Sequence, residues 1–184
     1  FRVATAGGPS MNAGPAATLA AAPALSSAPY SALSATGFTV SWSSAGNPGG
    51  TLYRVEAAAL SDFSAVAGSS LTRNIFAALG GLTSNTLYYA RALAISHGGV
   101  NSGYAFFGST RTLVTTPTLP AEPFSNQSND GFTFTWIGGN PSGTIYRVNI
   151  STDPSLTPPA ASVDTTALSA SFTGLNSNRL YYAA

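Results

Sequence analysis

Residues 81–94 read GLTSNTLYYARALA, and this stretch decides the fold. A glycine turn leads into Leu82, a tight Ser-Asn-Thr corner follows, and alternating small or apolar residues begin at Tyr88. A tyrosine at the start of such a strand can pack its ring inward while its hydroxyl bonds back to the backbone of the corner. Because that arrangement pins two sheets together, the stretch predicts a β-sandwich.

The same stretch returns as GLNSNRLYYA at residues 174–183, which places Tyr181 93 residues after Tyr88 (181 − 88 = 93). Further blocks recur at offsets of 93 or 94, namely 37–42 with 131–136 and 47–55 with 140–148. A repeat at this period indicates a duplicated domain.

Within each repeat the apolar residues keep a period of two, which predicts strands rather than helices. Phe38, Val40 and Trp42 point to one side of a strand, and the residues between them point to the other. An Asn-Pro-Gly-Gly turn at 47–50 then leads into the next strand. The chain is therefore expected to be all-β.

Taken together, these motifs resemble a fibronectin type III domain. The resemblance rests on a tryptophan in the second strand, a Tyr-x-Val in the third, and the corner from leucine to tyrosine. It implies tandem seven-stranded antiparallel Greek-key sandwiches of the immunoglobulin-like kind, in a bacterial-type extracellular protein. The core residues that it implies are Trp42, Tyr53, Val55, Leu82, Tyr88, Trp136, Tyr146, Val148, Leu175 and Tyr181. The family usually has proline two residues after the corner leucine, where this chain has Ser84 and Ser177.

The self-alignment predicts that the first and last units are incomplete. Residues 1–23 match the last two strands of a preceding or neighbouring-copy sandwich, with the seventh strand expected at 16–21. Residues 24–115 match a complete domain, and 116–184 match a second domain that lacks most of its last two strands.

Two alternatives explain such ends, and both predict a linear string of sandwiches. In the first alternative, the chain is a window of a tandem array whose strands are covalently continuous. In the second, the opening residues of one copy fill the open groove of the next as a donor strand. The candidates for this assembly role are Phe1, Val3, Thr5 and Leu19.

Composition limits the possible functions. Only 7% of residues are charged, against roughly 25% in ordinary domains, and the net charge is +1. A nucleic-acid partner is therefore not expected. No apolar run approaches the roughly 20 residues needed to span a bilayer, so no membrane-spanning segment is expected either. The chain has no cysteine and one histidine, and its six acidic residues are scattered singly, so neither catalytic residues nor a metal or cofactor site is expected.

These patterns predict a non-catalytic structural repeat protein of an extracellular or cell-surface filament, sheath or stalk. Its expected partners are copies of itself or adjacent repeats of the same chain, because a surface poor in charge suits faces that pack together. The alternative is an adhesin, or a carbohydrate-binding or spacer module, that binds a glycan or surface ligand through the loop from His97 to Phe107. The candidate residues of this recognition loop are His97, Tyr104 and Phe107.

Overall fold

The computed structural model describes the backbone of residues 2–4 and 10–12 and the whole of residues 6–7 and 14–184. Fifteen strands and no helix occur in these residues. The first nine strands are β1 (Arg2–Ala4), β2 (Ser10–Asn12), β3 (Ala24–Ser31), β4 (Phe38–Ser43), β5 (Leu52–Ala58), β6 (Val66–Thr72), β7 (Phe76–Leu79), β8 (Leu87–Ile95) and β9 (Ala105–Arg111). The other six are β10 (Phe124–Ser125), β11 (Phe132–Thr135), β12 (Tyr146–Ser151), β13 (Ala161–Thr165), β14 (Ser169–Phe172) and β15 (Tyr182–Ala183).

The chain divides into two compact units, and every paired strand is antiparallel to its neighbour. Unit 1 comprises Phe1–Leu82 with Leu87–Arg111, and unit 2 comprises Thr83–Thr86 with Thr112–Ala184. The predicted all-β fold of antiparallel sheets is confirmed. No described segment is a helix long and apolar enough to cross a membrane.

Unit 1 contains a seven-stranded sandwich. One sheet has the strand order β3-β4-β7, and the other has the order β6-β5-β8-β9. Alternation along the strands turns Val40, Trp42, Tyr53 and Val55 into the space between the sheets, where they are buried. Gly37 lies where the chain enters β4, and a Cβ there would collide with the carbonyl oxygen of Leu79, so only glycine allows this close approach of the strands.

Unit 2 repeats this plan with two three-stranded sheets, β10-β11-β14 and β13-β12-β15. Its core holds six buried residues, which are Phe134, Trp136, Val148, Ile150, Ala170 and Phe172. In the part of the chain that the structure describes, unit 2 has no strand at the position of β9.

The corner between the leucine and the tyrosine, at residues 82–88 and 175–181, has the same backbone form in both repeats. Asn85 and Asn178 have φ values of 47° and 53°, a left-handed conformation that asparagine tolerates better than most residues. In the second repeat the backbone N–H of Asn176 donates to the Tyr181 hydroxyl at 3.1 Å, which closes the corner onto the strand. In the first repeat the Tyr88 ring is buried.

Before the first sandwich, β1 and β2 form a two-stranded sheet of their own. The prediction of a strand at 16–21 is corrected. Residues 14–23 contain no regular strand, and the second strand lies earlier, at Ser10–Asn12.

Candidate functional site

A cluster of charged and aromatic side chains lies on the outward face of the β6-β5-β8-β9 sheet, and we call it the arginine cluster. Antiparallel pairing of β5 with β8 sets Glu56 opposite Arg91, and pairing of β8 with β9 sets Arg91 opposite Phe106. The cluster itself consists of Arg54, Glu56, Phe63, Arg91 and Tyr104.

Glu56 is the centre of the arginine cluster. Arg91 donates from Nε to Glu56 Oε2 at 2.8 Å, and its Nη2 lies 2.8 Å from the same oxygen. Arg54 Nε lies 3.2 Å from Glu56 Oε1, and the Tyr104 hydroxyl donates to Oε1 at the same distance while accepting from Arg54 Nη2 at 2.8 Å. Both oxygens of the Glu56 carboxylate therefore have partners, and the Glu56 side chain is only 10% exposed.

Two aromatic rings enclose the Arg91 guanidinium. Its central carbon lies 3.9 Å from the ring centroid of Tyr104 and 4.2 Å from that of Phe63. Cation–π contacts of this kind stabilise a partly desolvated arginine. The arginine cluster can form a rigid polar surface, but it contains no nucleophile beside a general base.

The second repeat replaces this cluster with an exposed ion pair. Arg147 donates from Nε and Nη2 to the two carboxylate oxygens of Asp164, each at 2.8 Å. The hydrogen bond from Arg147 lowers the pKa of Asp164 and, in return, raises the pKa of Arg147. Arg54 and Arg147, which occupy equivalent positions in the two repeats, each pair with an acidic residue of their own sheet. Sequence patterning alone does not reveal these pairs.

The structure separates the three predicted residues of the recognition loop. His97 is exposed and Tyr104 is half-buried in the arginine cluster. The prediction that Phe107 belongs to the recognition loop is corrected, because its side chain is only 3% exposed and stacks on Trp42, with ring centroids 6.2 Å apart. Since β9 begins at Ala105, alternation turns Phe107 inward and leaves its neighbour Phe106 58% exposed.

The predicted core residues of unit 1 lie in its interior, since Trp42, Tyr53, Val55, Leu82 and Tyr88 are all buried. In unit 2, Trp136 and Val148 are buried, whereas Tyr146, Leu175 and Tyr181 are half-buried and pack against its core. The core of unit 2 is therefore less completely covered than that of unit 1, and an open groove lies beside it.

The groove in unit 2 has a volume of about 500 Å³. Its walls are mainly apolar, with Trp136, Tyr146 and Val148 from the core strands and Ile145 at the rim. Ile145 is 70% exposed. An apolar surface of this kind marks a place where another segment of polypeptide can pack.

Each repeat also holds the peptide that leads into it through one asparagine, a feature that we call the asparagine bracket. Asn47 Oδ1 accepts from the backbone N–H of Ala21 at 2.9 Å, and its Nδ2 donates to the Ala21 carbonyl at 2.9 Å. Asn140 forms the same two hydrogen bonds with Thr115. Its Oδ1 accepts from the backbone N–H at 2.7 Å, and its Nδ2 donates to the carbonyl at 2.8 Å. The only sequence signal was the recurrence of asparagine before proline in the repeated turn.

Tyr30 ties the first strand of the sandwich to the last. Its hydroxyl donates to the carbonyl of Gly108 at 2.9 Å. Burial raises the pKa of Tyr30 to about 12, against the opposing effect of a backbone hydrogen bond from Ala90. The second repeat has Phe124 at the equivalent position.

Several acidic residues have local structural roles. The backbone N–H of Ser64 donates to Asp62 and lowers the pKa of that carboxyl, and the N–H of Ser155 does the same for Asp153. Among the described residues, no group of three or more histidine, cysteine, aspartate or glutamate side chains is placed to hold a metal ion.

The four candidates for assembly lie at the start of the chain. Phe1 and Thr5 fall outside the described residues, and Val3 belongs to β1. Leu19 is 73% exposed. Their assembly role stays a prediction.

Comparison of the structure with solved structures finds fibronectin type III domains. A two-domain fibronectin type III segment of chicken tenascin matches with a TM-score of 0.57 and 18% identity, over 86% of this chain and 86% of that chain. A fibronectin type III domain of the human KIAA0970 protein matches 59% of this chain and 83% of that chain, with a TM-score of 0.42 and 18% identity. No family model and no curated protein matches the sequence. The chain therefore has a fibronectin type III-like β-sandwich fold.

Proposed function

We propose that this chain is a non-catalytic structural repeat protein of an extracellular filament, sheath or surface stalk. Its sandwiches associate head to tail, and their ends are completed by the covalently continuous chain or by a donor strand. The observation that carries the proposal is the repeated asparagine bracket, in which Asn47 and Asn140 each hold the peptide leading into their own sandwich. A module that fixes its own leading peptide suits an array of many copies.

The use of charge supports a structural role. Charged residues make up 7% of the chain, and several of them pair with one another, in the arginine cluster and in the ion pair of Arg147 with Asp164. Large apolar side chains stay exposed on both repeats, including Leu71 at 63% and Ile145 at 70%. A surface of this composition favours contact with other protein surfaces over long-range electrostatic recognition.

Electron microscopy of the protein isolated from its native source tests the proposal. Ordered fibres with a regular axial repeat are expected, and antibody labelling of intact, unpermeabilised cells should find the protein on their surface. Monodisperse single particles, or labelling that requires permeabilised cells, would contradict it.

The second candidate function is an adhesin, or a carbohydrate-binding or spacer module. It is favoured by the 58% exposure of Phe106 beside the arginine cluster, because an exposed aromatic ring next to fixed polar groups can stack on a sugar ring. Glycan-array binding of the protein and of a Phe106→Ala variant tests it. Binding that the substitution abolishes would support glycan recognition by this module, and no binding by either protein would reject glycan recognition.

A further inference from the structure

Strand β6 forms one edge of the four-stranded sheet of unit 1, and β5 is its sole partner among the described strands. Its residues, Val66–Thr72, include no charged residue and no proline, and Leu71 is 63% exposed. The charge of Arg73, which follows the strand, is held at the 47–50 turn, where its Nη1 donates to the Gly50 carbonyl at 2.6 Å. Natural sheet edges usually carry charge or proline, because an unguarded edge can pair with a strand of another chain.

The hydrogen-bonding pattern of the sheet shows which backbone groups of β6 face outward. The N–H and the carbonyl of Ala94 on β8 both bond away from β5, to the loop before β9, at 2.9 and 2.8 Å. Tyr53 lies opposite Ala94, so its own groups bond towards β6 and its partner Thr72. Since this pattern alternates along a strand, Ser69 and Leu71 direct their N–H and carbonyl groups away from β5. No described residue bonds to these outward groups.

The equivalent edge of unit 2 carries a charge. Pairing of β12 with β13 sets Asp164 opposite Arg147, and the two form an exposed ion pair at 2.8 Å. In unit 1 the equivalent pairing sets Leu71 opposite Arg54. A further strand on β13 would have to desolvate the carboxylate of Asp164, which is one way in which proteins keep sheet edges from pairing. The edge of unit 1 lacks this protection.

The sequence of β6 is complementary to itself when two copies run antiparallel with Ser70 opposite its own counterpart. Leu71 then lies opposite Ser69, and Thr72 lies opposite Gly68, so a larger side chain meets a smaller one at each position. The outward N–H and carbonyl groups of Ser69 and Leu71 face each other as hydrogen-bonded pairs. The register shift in the pairing of β6 with β5 lies outside these residues.

We propose that β6 pairs with β6 of a second copy of this chain about a two-fold axis, which joins two four-stranded sheets into one continuous sheet. A second copy is the partner because the strand is uncharged, its outward groups match each other, and unlike residue sizes meet across the axis. A two-fold contact of this kind is closed, so it links chains in pairs. It goes beyond the proposed function, because it holds neighbouring filaments side by side, whereas the head-to-tail contact extends each filament.

Disulfide trapping tests the register, because the chain has no cysteine of its own. In the proposed contact Ser70 faces its counterpart at a non-hydrogen-bonded position, where Cα atoms lie about 4.5 Å apart, within the range of a disulfide. Ser70→Cys should therefore give a covalent dimer in a glutathione redox buffer. The matched control is Thr72→Cys, which is on the same side of the strand and also half-buried. Its counterpart would lie about 13 Å further along the partner strand.

The dimer yield of Ser70→Cys should exceed that of Thr72→Cys by about tenfold or more. A second measurement gives the edge of unit 1 the residue that unit 2 has. Leu71→Asp should weaken self-association by about tenfold or more in sedimentation, because its carboxylate has to be desolvated in the contact. Leu25→Asp, on the edge strand β3 of the other sheet, is the control. Leu25 is 60% exposed, and its substitution should leave this association unchanged.

Equal disulfide yields from Ser70→Cys and Thr72→Cys, or no covalent dimer from either, would overturn the proposal. A wild-type chain that stays monomeric, or equal effects of Leu71→Asp and Leu25→Asp, would overturn it as well. Fibres in which Ser70→Cys forms no disulfide would sink this lateral contact and leave the head-to-tail function in place. A specific Ser70→Cys disulfide between chains that never form fibres would support the contact and count against the function.

Discussion

Glu56 shows how one mostly buried carboxylate is accommodated on the outward face of a sheet. Its side chain is 10% exposed and is bound by Arg54, Arg91 and Tyr104. Burying a charge is costly unless the charge is paired and hydrogen-bonded, and removal of one partner leaves the others uncompensated. The identity of this residue should therefore matter to the stability of unit 1.

We predict that Glu56→Gln lowers the free energy of unfolding of unit 1 by about 1.5–3 kcal/mol, because Arg91 loses a charged hydrogen-bond partner and Arg54 loses its ion-pair partner. Urea denaturation followed by fluorescence measures the effect. The matched control is Asp164→Asn, whose ion pair with Arg147 is largely exposed and should change stability little. Equal effects of the two substitutions would contradict this account of the arginine cluster.

Tyr30 predicts a dependence of stability on alkaline pH. Burial raises its pKa from 10.0 to about 12, so the folded state keeps the phenol protonated where the unfolded state ionises it. The resulting stability is complete below pH 10 and is lost as the pH rises towards 12. Tyr30→Phe should therefore show a shallower decline of the unfolding free energy over this interval than the wild type.

This difference is measured by denaturant titrations at several alkaline pH values. The phenylalanine is structurally reasonable, since the second repeat already has Phe124 at this position. Parallel pH curves for Tyr30→Phe and the wild type would show that Tyr30 does not titrate as its burial predicts.

At the scale of elements, period-two patterning was enough to predict β4 and the strand β5 that follows the turn at 47–50. The inward face of β4 followed directly from the alternation of Phe38, Val40 and Trp42. The face of β9 did not, because Phe106 and Phe107 are adjacent, so their order gives no orientation until the register with β8 is known.

The asparagine bracket was beyond sequence reasoning for a different reason. It joins Asn47 to Ala21, 26 residues earlier, through backbone atoms that every residue carries. No side-chain pattern at residue 21 could report that contact. The arginine cluster was similarly hidden, since Tyr104 lies 48 residues from Glu56.

We predict that Asn47→Ala destabilises unit 1 by about 1–2 kcal/mol, because it removes two hydrogen bonds to Ala21. Amide hydrogen exchange should become faster at Ala21 and remain unchanged at Thr115, which depends on Asn140 instead. Asn140→Ala should show the reverse. Unchanged protection at both amides in both variants would mean that the bracket adds nothing to the order of these peptides.

At the scale of the whole molecule, the two units have unequal cores. The core of unit 1 contains fourteen buried residues, whereas that of unit 2 contains six and borders an open groove. Since hydrophobic burial is the main favourable term in folding, unit 2 is expected to be the weaker of the two.

Single-tryptophan variants can measure this difference, because each unit has one tryptophan. Trp136→Phe leaves Trp42 to report on unit 1, and Trp42→Phe leaves Trp136 to report on unit 2. In dilute solution Trp136 should respond at a lower urea concentration than Trp42. A single shared transition for both variants would contradict the unequal cores.

The asparagine bracket also bears on how a sandwich responds to mechanical load. A pulling force on the peptide that precedes β3 reaches Ala21 first, where two hydrogen bonds to Asn47 act in parallel. Part of the tension then passes into the connection between β4 and β5 before it can peel β3 from the sheet edge. Each module would thus use its own asparagine side chain to share the load at the point where stretching begins.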